Sequence, residues 1–159
     1  MLAGLAVALV AAFPAAGAPA AGKVDEVRLR NADAEADNWF TKGRDFGDSH
    51  YSPLAQINAS NVGGLGLAWT YDATPRRGRI ARGLEATPVI VDGVLYTSLA
   101  WSEVVAIDAA TGRELWRYDP AVDGSFDRKT CCDAVNRGVA VWKGRVYVGT
   151  LDGYLIALN

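Results

Sequence analysis

Two cysteines, one histidine and one methionine are all that 159 residues contain of these types. A structural zinc site closes with four Cys or His ligands, its cysteines spaced two to four residues apart. Cys131 and Cys132 are adjacent, no third cysteine follows, and His50 stands far upstream. That pattern does not make a zinc site of the usual kind. A C-x-x-C-H run is also missing, so the chain encodes no covalent c-type haem. Charge of one sign is missing as well: 16 basic against 18 acidic residues leave a net charge of −2. Without a basic stripe there is no electrostatic footprint for nucleic acid. No apolar run reaches the roughly 20 residues of a membrane span.

The longest apolar run, Leu2 to Phe13, is followed by small residues and Ala18-Pro19-Ala20. A short apolar core with an A-x-A pattern reads as a secretory signal cleaved after Ala20. No Lys or Arg precedes the run, which leaves a start further upstream open. Export places the remainder in a compartment that permits disulfides. The chain therefore divides into a signal peptide (1–20), a polar, acidic segment expected to be flexible or loosely helical (21–38), and a domain (39–159).

From Trp39 the sequence is aromatic, glycine-rich and turn-rich. Gly43-Arg44-Asp45-Phe46-Gly47-Asp48 lacks the strand–glycine–helix setting of a phosphate loop and reads as turns. His50, beside Tyr51 and Ser52-Pro53, has no companion cluster of ligands and reads as structural or exposed.

Repetition sets the fold. Val89 to Asp108 aligns without gaps on Ala140 to Asn159, pairing Gly93 with Gly144, Tyr96 with Tyr147 and Ala106 with Ala157, each 51 positions apart. A second register pairs Ala68-Trp69-Thr70-Tyr71 with Leu115-Trp116-Arg117-Tyr118, the tryptophans 47 apart. Each unit reads strand, glycine turn, strand, with Asp92-Gly93 a strong hairpin signal. In Ala106 to Trp116, Gly112 supplies a positive φ, Asp108 or Thr111 bonds the turn backbone, and Trp116 has the size to dock between neighbouring sheets. Four short strands in about 50 residues fit a propeller blade.

The cysteine pair is the unusual feature. A Cys131–Cys132 bridge would span a Cα separation of about 3.8 Å across a trans peptide, below the usual range of roughly 4.4–6.8 Å. Such a strained ring persists where its surroundings enforce it, often at functional sites. Two unbonded buried thiols, or two metal ligands, are the alternatives that residue types alone leave open.

The pattern Ala106-x-Asp108-Ala109-x-Thr111-Gly112-x-x-x-Trp116 resembles the tryptophan-docking motif of the pyrroloquinoline quinone (PQQ) dehydrogenases. Three further stretches are similar to the methanol/ethanol dehydrogenase branch of that family. They are Asn38-Trp39 through Tyr51-Ser52-Pro53-Leu54 with Gln56-Ile57-Asn58, then Gly83-Leu84-Glu85-Ala86-Thr87-Pro88, and Cys131-Cys132-Asp133-x-x-x-Arg137. The Cys-Cys-Asp-x-x-x-Arg element is the most specific of them. The resemblance implies an all-β fold, the N-terminal part of an eight-bladed β-propeller, incomplete in this chain. It implies a disulfide between Cys131 and Cys132 lying flat against PQQ, with Arg137 and Glu85 at the cofactor's polar periphery. Arginine's planar fork suits a carboxylate of PQQ, whereas Glu85 beside an acidic ligand needs a shared proton or a neighbouring cation.

The same resemblance implies a periplasmic enzyme oxidising small alcohols to aldehydes by hydride transfer to PQQ, with a cytochrome c as electron acceptor. The Ca²⁺ ligands and the catalytic aspartate of the family match nothing here, and Asp133 has no claim to be the base. Any haem c would belong to a C-terminal region outside this chain. The expectation is an N-terminal piece that is inactive alone. The rival reading is a non-catalytic propeller serving as scaffold or binding protein of the cell envelope; it has no need of the cysteine pair with Arg137.

Overall fold

The computed structural model describes residues 21–78 and 83–159; the signal-peptide expectation falls on residues 1–20, outside them. Among the described residues, seven strands form two antiparallel sheets. The first has the order β1 (Val89–Val91), β2 (Val94–Ser98), β3 (Val104–Asp108) and β4 (Glu114–Tyr118). The second has the order β5 (Ala140–Trp142), β6 (Arg145–Gly149) and β7 (Leu155–Leu158).

The 51-residue repeat is visible in the ladder. Val89 pairs with Tyr96 and Tyr96 with Ala106 in one sheet; Ala140 pairs with Tyr147 and Tyr147 with Ala157 in the other. Both leading hairpins turn through two residues of positive φ, Asp92 (52°) with Gly93 (78°) and Lys143 (47°) with Gly144 (79°). Two such residues make the type I′ turn whose twist suits adjoining strands. Lys143 takes the left-handed region without the local bonding that eases Asn or Asp into it.

Strand β3 is buried on both faces, which explains its unbroken apolar run. Val104 and Ala106 face a cluster shared with Val141, Val146 and Val148 of the second sheet. Val105 and Ile107 join Leu99 beneath Trp69, Tyr71 and Ala73. Full burial of a Val or Ile side chain is worth about 1.5–3 kcal/mol. This strand therefore joins the two halves of the core.

Residues 68–71, which align with β4, form no ladder strand; side chains hold them instead. Trp69 Nε1 donates to Ala109 O (3.2 Å) and Tyr71 OH to Glu114 Oε2 (2.5 Å). Burial first, and that bond second, push the Tyr71 phenol up to about 12. Gly112 (φ 73°) lies so close beneath Trp69 that an added Cβ would stand 2.6 Å from the indole. Asp108 Oδ1 accepts from Ala110 N, Thr111 N and Thr111 Oγ1, closing the turn. Trp116 packs on the opposite face against the shared core, 6.1 Å from Tyr96. One tryptophan thus docks on each side of the first sheet.

The segment 21–38 is packed rather than loose. Asp25 caps the short helix α1 (Glu26–Arg30) by accepting from Arg28 N at 2.9 Å. Leu29 and Val24 enter the core. Val24 O accepts from Lys143 N (2.8 Å), and Arg28 binds Glu35 and Asp92. The segment thereby ties the leading hairpins of both sheets. Trp39 then exchanges two backbone bonds with Ile90, covering the free edge of β1. No described helix is long and apolar enough to cross a membrane.

Candidate functional site

The loop from Thr130 to Gly138 leaves a short 3₁₀ helix (Gly124–Lys129) and leads into β5. Thr130 Oγ1 donates to Asp133 O (3.0 Å), and the backbone turns at Asp133, φ 79°. Asp133 Oδ1 accepts from Ala134 N at 2.7 Å, so this carboxylate shapes the loop. Cys131 and Cys132 are disulfide-bonded across a Cα separation of 3.8 Å, and both are exposed. Exposure and bonding together remove the buried-thiol and metal-ligand alternatives for this pair.

The loop is anchored from below by Ala134, fully buried among Ala100, Trp101 and Val122. Trp101 N donates to Ala134 O (2.8 Å). Trp101 and the buried Ser102 both have φ near 60°, two consecutive left-handed residues that are not glycine. Each such residue costs on the order of 1–3 kcal/mol and holds only where its surroundings fix it. Glu103 follows, fully buried; its Oε1 accepts from Arg76 N (2.7 Å). Arg117 Nε stands 3.0 Å from Glu103 Oε2, an ion pair close in distance but not aligned as a hydrogen bond.

Asn136 fastens the far side. Its Nδ2 donates to Ser102 Oγ (3.2 Å) and Gly149 O (2.8 Å), while its Oδ1 accepts from Gly138 N (3.2 Å). Ser102 Oγ also accepts from Leu151 N (3.2 Å). Gly138, at φ 129°, lets the loop lie against the strand-like segment before β1: an added Cβ would stand 3.0 Å from Thr87 O. Thr87 N donates to Arg137 O (3.4 Å).

That contact brings Glu85 to Arg137. Arg137 Nε donates to Glu85 Oε2 at 3.3 Å, with side-chain exposures of 74% and 42%. Cys131, Cys132, Asn136, Arg137, Gly138, and Leu151 are among the walls of an open cleft of about 560 Å³. The disulfide and Arg137 thus line one cavity, and Glu85 is joined to it through Arg137. Sequence reasoning did not single out Ser102, Asn136 or Trp101. Asn136 adjoins Arg137 in the chain, but nothing local marks a buried serine two residues before β3 as its partner.

His50 lies elsewhere, exposed at φ 52° with Nε2 3.5 Å from Asp48. The Gly43–Asp48 stretch forms turns around the buried Arg44, which binds Asp33 and Ala32 O. Among the described residues no three His, Cys, Asp or Glu side chains gather as a metal site.

Two repeated antiparallel sheets, a tryptophan docked on the Gly112 turn and a disulfide-walled cleft define part of a PQQ-type β-propeller. Residues 39–159 match the PQQ family described as glucose/ethanol/alcohol dehydrogenase, beta-propeller domain, and the chain belongs to the PQQ-dependent alcohol dehydrogenase family. It is 55% identical over 139 residues to quinohemoprotein alcohol dehydrogenase ADH IIB of Pseudomonas putida, covering 87% of this chain and 19% of that protein. It is 52% identical over 157 residues to the quinohemoprotein alcohol dehydrogenase of Comamonas testosteroni, covering 98% and 22%. The crystal structure of the Comamonas testosteroni quinohemoprotein alcohol dehydrogenase is similar with a TM-score of 0.78 and 53% identity, over 86% of this chain and 20% of that one. A europium-containing methanol dehydrogenase gives a TM-score of 0.73 at 32% identity, over 84% and 23%. The chain therefore spans about a fifth of the length of these relatives.

Proposed function

We propose that this chain is the cofactor-holding part of an exported, periplasmic PQQ-dependent alcohol dehydrogenase that oxidises alcohols to aldehydes and passes electrons to a cytochrome c. The observation that carries the reading is the open cleft walled by the Cys131–Cys132 disulfide and the exposed guanidinium of Arg137. PQQ is a flat tricyclic quinone with three carboxylates. The donor set fits it: the disulfide offers a compact apolar wall for a ring face, and Arg137 a charged fork for a carboxylate. A cleft of about 560 Å³ is within the ordinary size of cofactor sites, roughly 300–1,000 Å³.

When bound, PQQ supplies the quinone that accepts a hydride from the alcohol carbon. This chain's own residues bind and orient. Arg137 holds a carboxylate at the periphery, and the disulfide limits water on one ring face. Glu85 has the neighbouring cation it needs, since Arg137 stands 3.3 Å away and offsets its charge beside an acidic ligand. A relative in Thauera butanivorans is named 1-butanol dehydrogenase (cytochrome c), which supports an alcohol substrate and a cytochrome acceptor here. The base and the Ca²⁺ ligands are assigned to other parts of the enzyme, and the 159-residue chain alone is proposed to be inactive.

The test is dye-linked alcohol oxidation, comparing the native exported polypeptide with the isolated chain, each supplied with PQQ and Ca²⁺. Turnover by the native polypeptide, and none by the isolated chain, is expected. No PQQ-dependent turnover by either would return the reading to an envelope scaffold. Turnover by the isolated chain would overturn its proposed inactivity.

A further inference from the structure

Asn136 lines the cleft yet has little left to offer a ligand, because both hydrogens of its amide and one side of its oxygen are already engaged. Its three partners come from three places: Ser102 from the corner before β3, Gly149 from the end of β6, and Gly138 from its own loop. Ser102 in turn joins Leu151 after β6. One buried hydroxyl and one amide therefore join the first sheet, the second sheet and the cysteine loop, with Arg137 as Asn136's immediate neighbour. The left-handed pair Trp101–Ser102 makes the junction: it places the Ser102 hydroxyl against Asn136 and the Trp101 N–H on Ala134 O, on the two sides of Val135. The cost of that backbone is tolerated where a geometry must be held.

We infer that Asn136, through Ser102 and Gly149, is the positioning residue that sets Arg137 and the Cys131–Cys132 ring for PQQ. The inference rests on the functional reading above and adds to it the device that fixes the binding wall. Asn136 acts through its neighbours, so removing it loosens the loop while Arg137 and the disulfide stay chemically intact. Ligand-binding groups held within a narrow geometry depend on such support.

The test uses the full-length native protein, titrated with PQQ by fluorescence quenching, with hydrogen exchange of the ligand-free form. For Asn136→Ala the expected result is a PQQ Kd weakened about tenfold or more. Faster exchange is confined to residues 130–138, and the melting temperature stays near that of the parent. Asn136→Asp keeps the acceptor for Gly138 N but cannot donate to Ser102 and Gly149, and it weakens binding in the same direction. Ser102→Gly accepts the left-handed backbone at no steric cost and removes the hydroxymethyl group, and with it the hydroxyl that bonds Asn136 and Leu151. It gives a smaller loss of the same kind, and it reads the question even where Asn136→Ala does not fold. Unchanged Kd in the Asn136 variants, or in Ser102→Gly where Asn136→Ala does not fold, would overturn the inference. A loss of affinity that merely tracks a lowered melting temperature would overturn it too. A parent protein that takes up no PQQ would instead overturn the functional reading, which keeps the two failures apart.

Discussion

Arg137 Nε lies 3.3 Å from Glu85 Oε2, although 52 residues separate them in the chain. The Arg137 side chain is largely exposed and that of Glu85 is partly so. Exposed pairs of this kind contribute about 0–1 kcal/mol to stability. A double-mutant cycle on Glu85→Ala and Arg137→Ala, read by denaturant unfolding of the full-length protein, should give a coupling below about 1 kcal/mol. A coupling of several kcal/mol would show that the pair holds the fold and is not held in readiness for a ligand.

The disulfide is exposed in the cleft, so a thiol reductant can reach it. In the PQQ-free protein, Cys131–Cys132 should be reduced readily by dithiothreitol. Saturating PQQ should slow that reduction about tenfold or more if the cofactor covers the ring. Mass spectrometry of alkylated protein over time measures both rates. Equal rates with and without PQQ would place the cofactor elsewhere.

Gly112 is at φ 73° with the Trp69 indole where a Cβ would go. Gly112→Ala combines backbone strain with overpacking and should cost about 2–4 kcal/mol of unfolding free energy. Gly63, with nothing within 4 Å of its added Cβ, is the control, and Gly63→Ala should change stability by less than about 1 kcal/mol. Equal effects at the two positions would contradict the tryptophan-docking account.

Four aspartates sit below their ordinary value of 3.8 because nearby hydroxyls and N–H groups bond the carboxylate: Asp45 with Ser49, Asp72 with Thr74, Asp108 with Thr111, and Asp123 with Ser125. A lowered folded value means that the unfolded chain binds more protons as pH falls. Their stabilisation is therefore present above 3.8 and is lost as pH drops below it through the folded values. The melting temperature should fall below that pH, and the fall should be shallower in Asp108→Asn than in the parent. A melting temperature that is flat or rises in that range would contradict the assignment.

The blades were legible because hairpin chemistry is local. Asp92-Gly93 and the 51-residue spacing of Gly93 and Tyr96 carry strand, turn and register within short windows. The cysteine pair was legible as an anomaly, the resemblance made it a candidate site, and the structure joins the two cysteines in a disulfide. Three features were not legible, each for a long-range reason. Residues 68–71 share the pattern of β4 but make their contacts through the Trp69 and Tyr71 side chains to partners 40 and 43 residues away. The segment 21–38 reads as polar, yet Val24 and Leu29 suffice to seat it on two hairpins. The Ser102–Asn136 bond joins residues 34 apart through a left-handed corner that a Trp-Ser dipeptide does not announce.

The most direct measurement is the PQQ affinity of the full-length native protein and of its Arg137→Ala variant. A charge-assisted hydrogen bond is worth about 1.5–3 kcal/mol. The parent should therefore bind PQQ at least about tenfold more tightly than Arg137→Ala, with Arg137→Lys between them. Equal affinity in all three proteins would contradict the assignment of this cleft to PQQ.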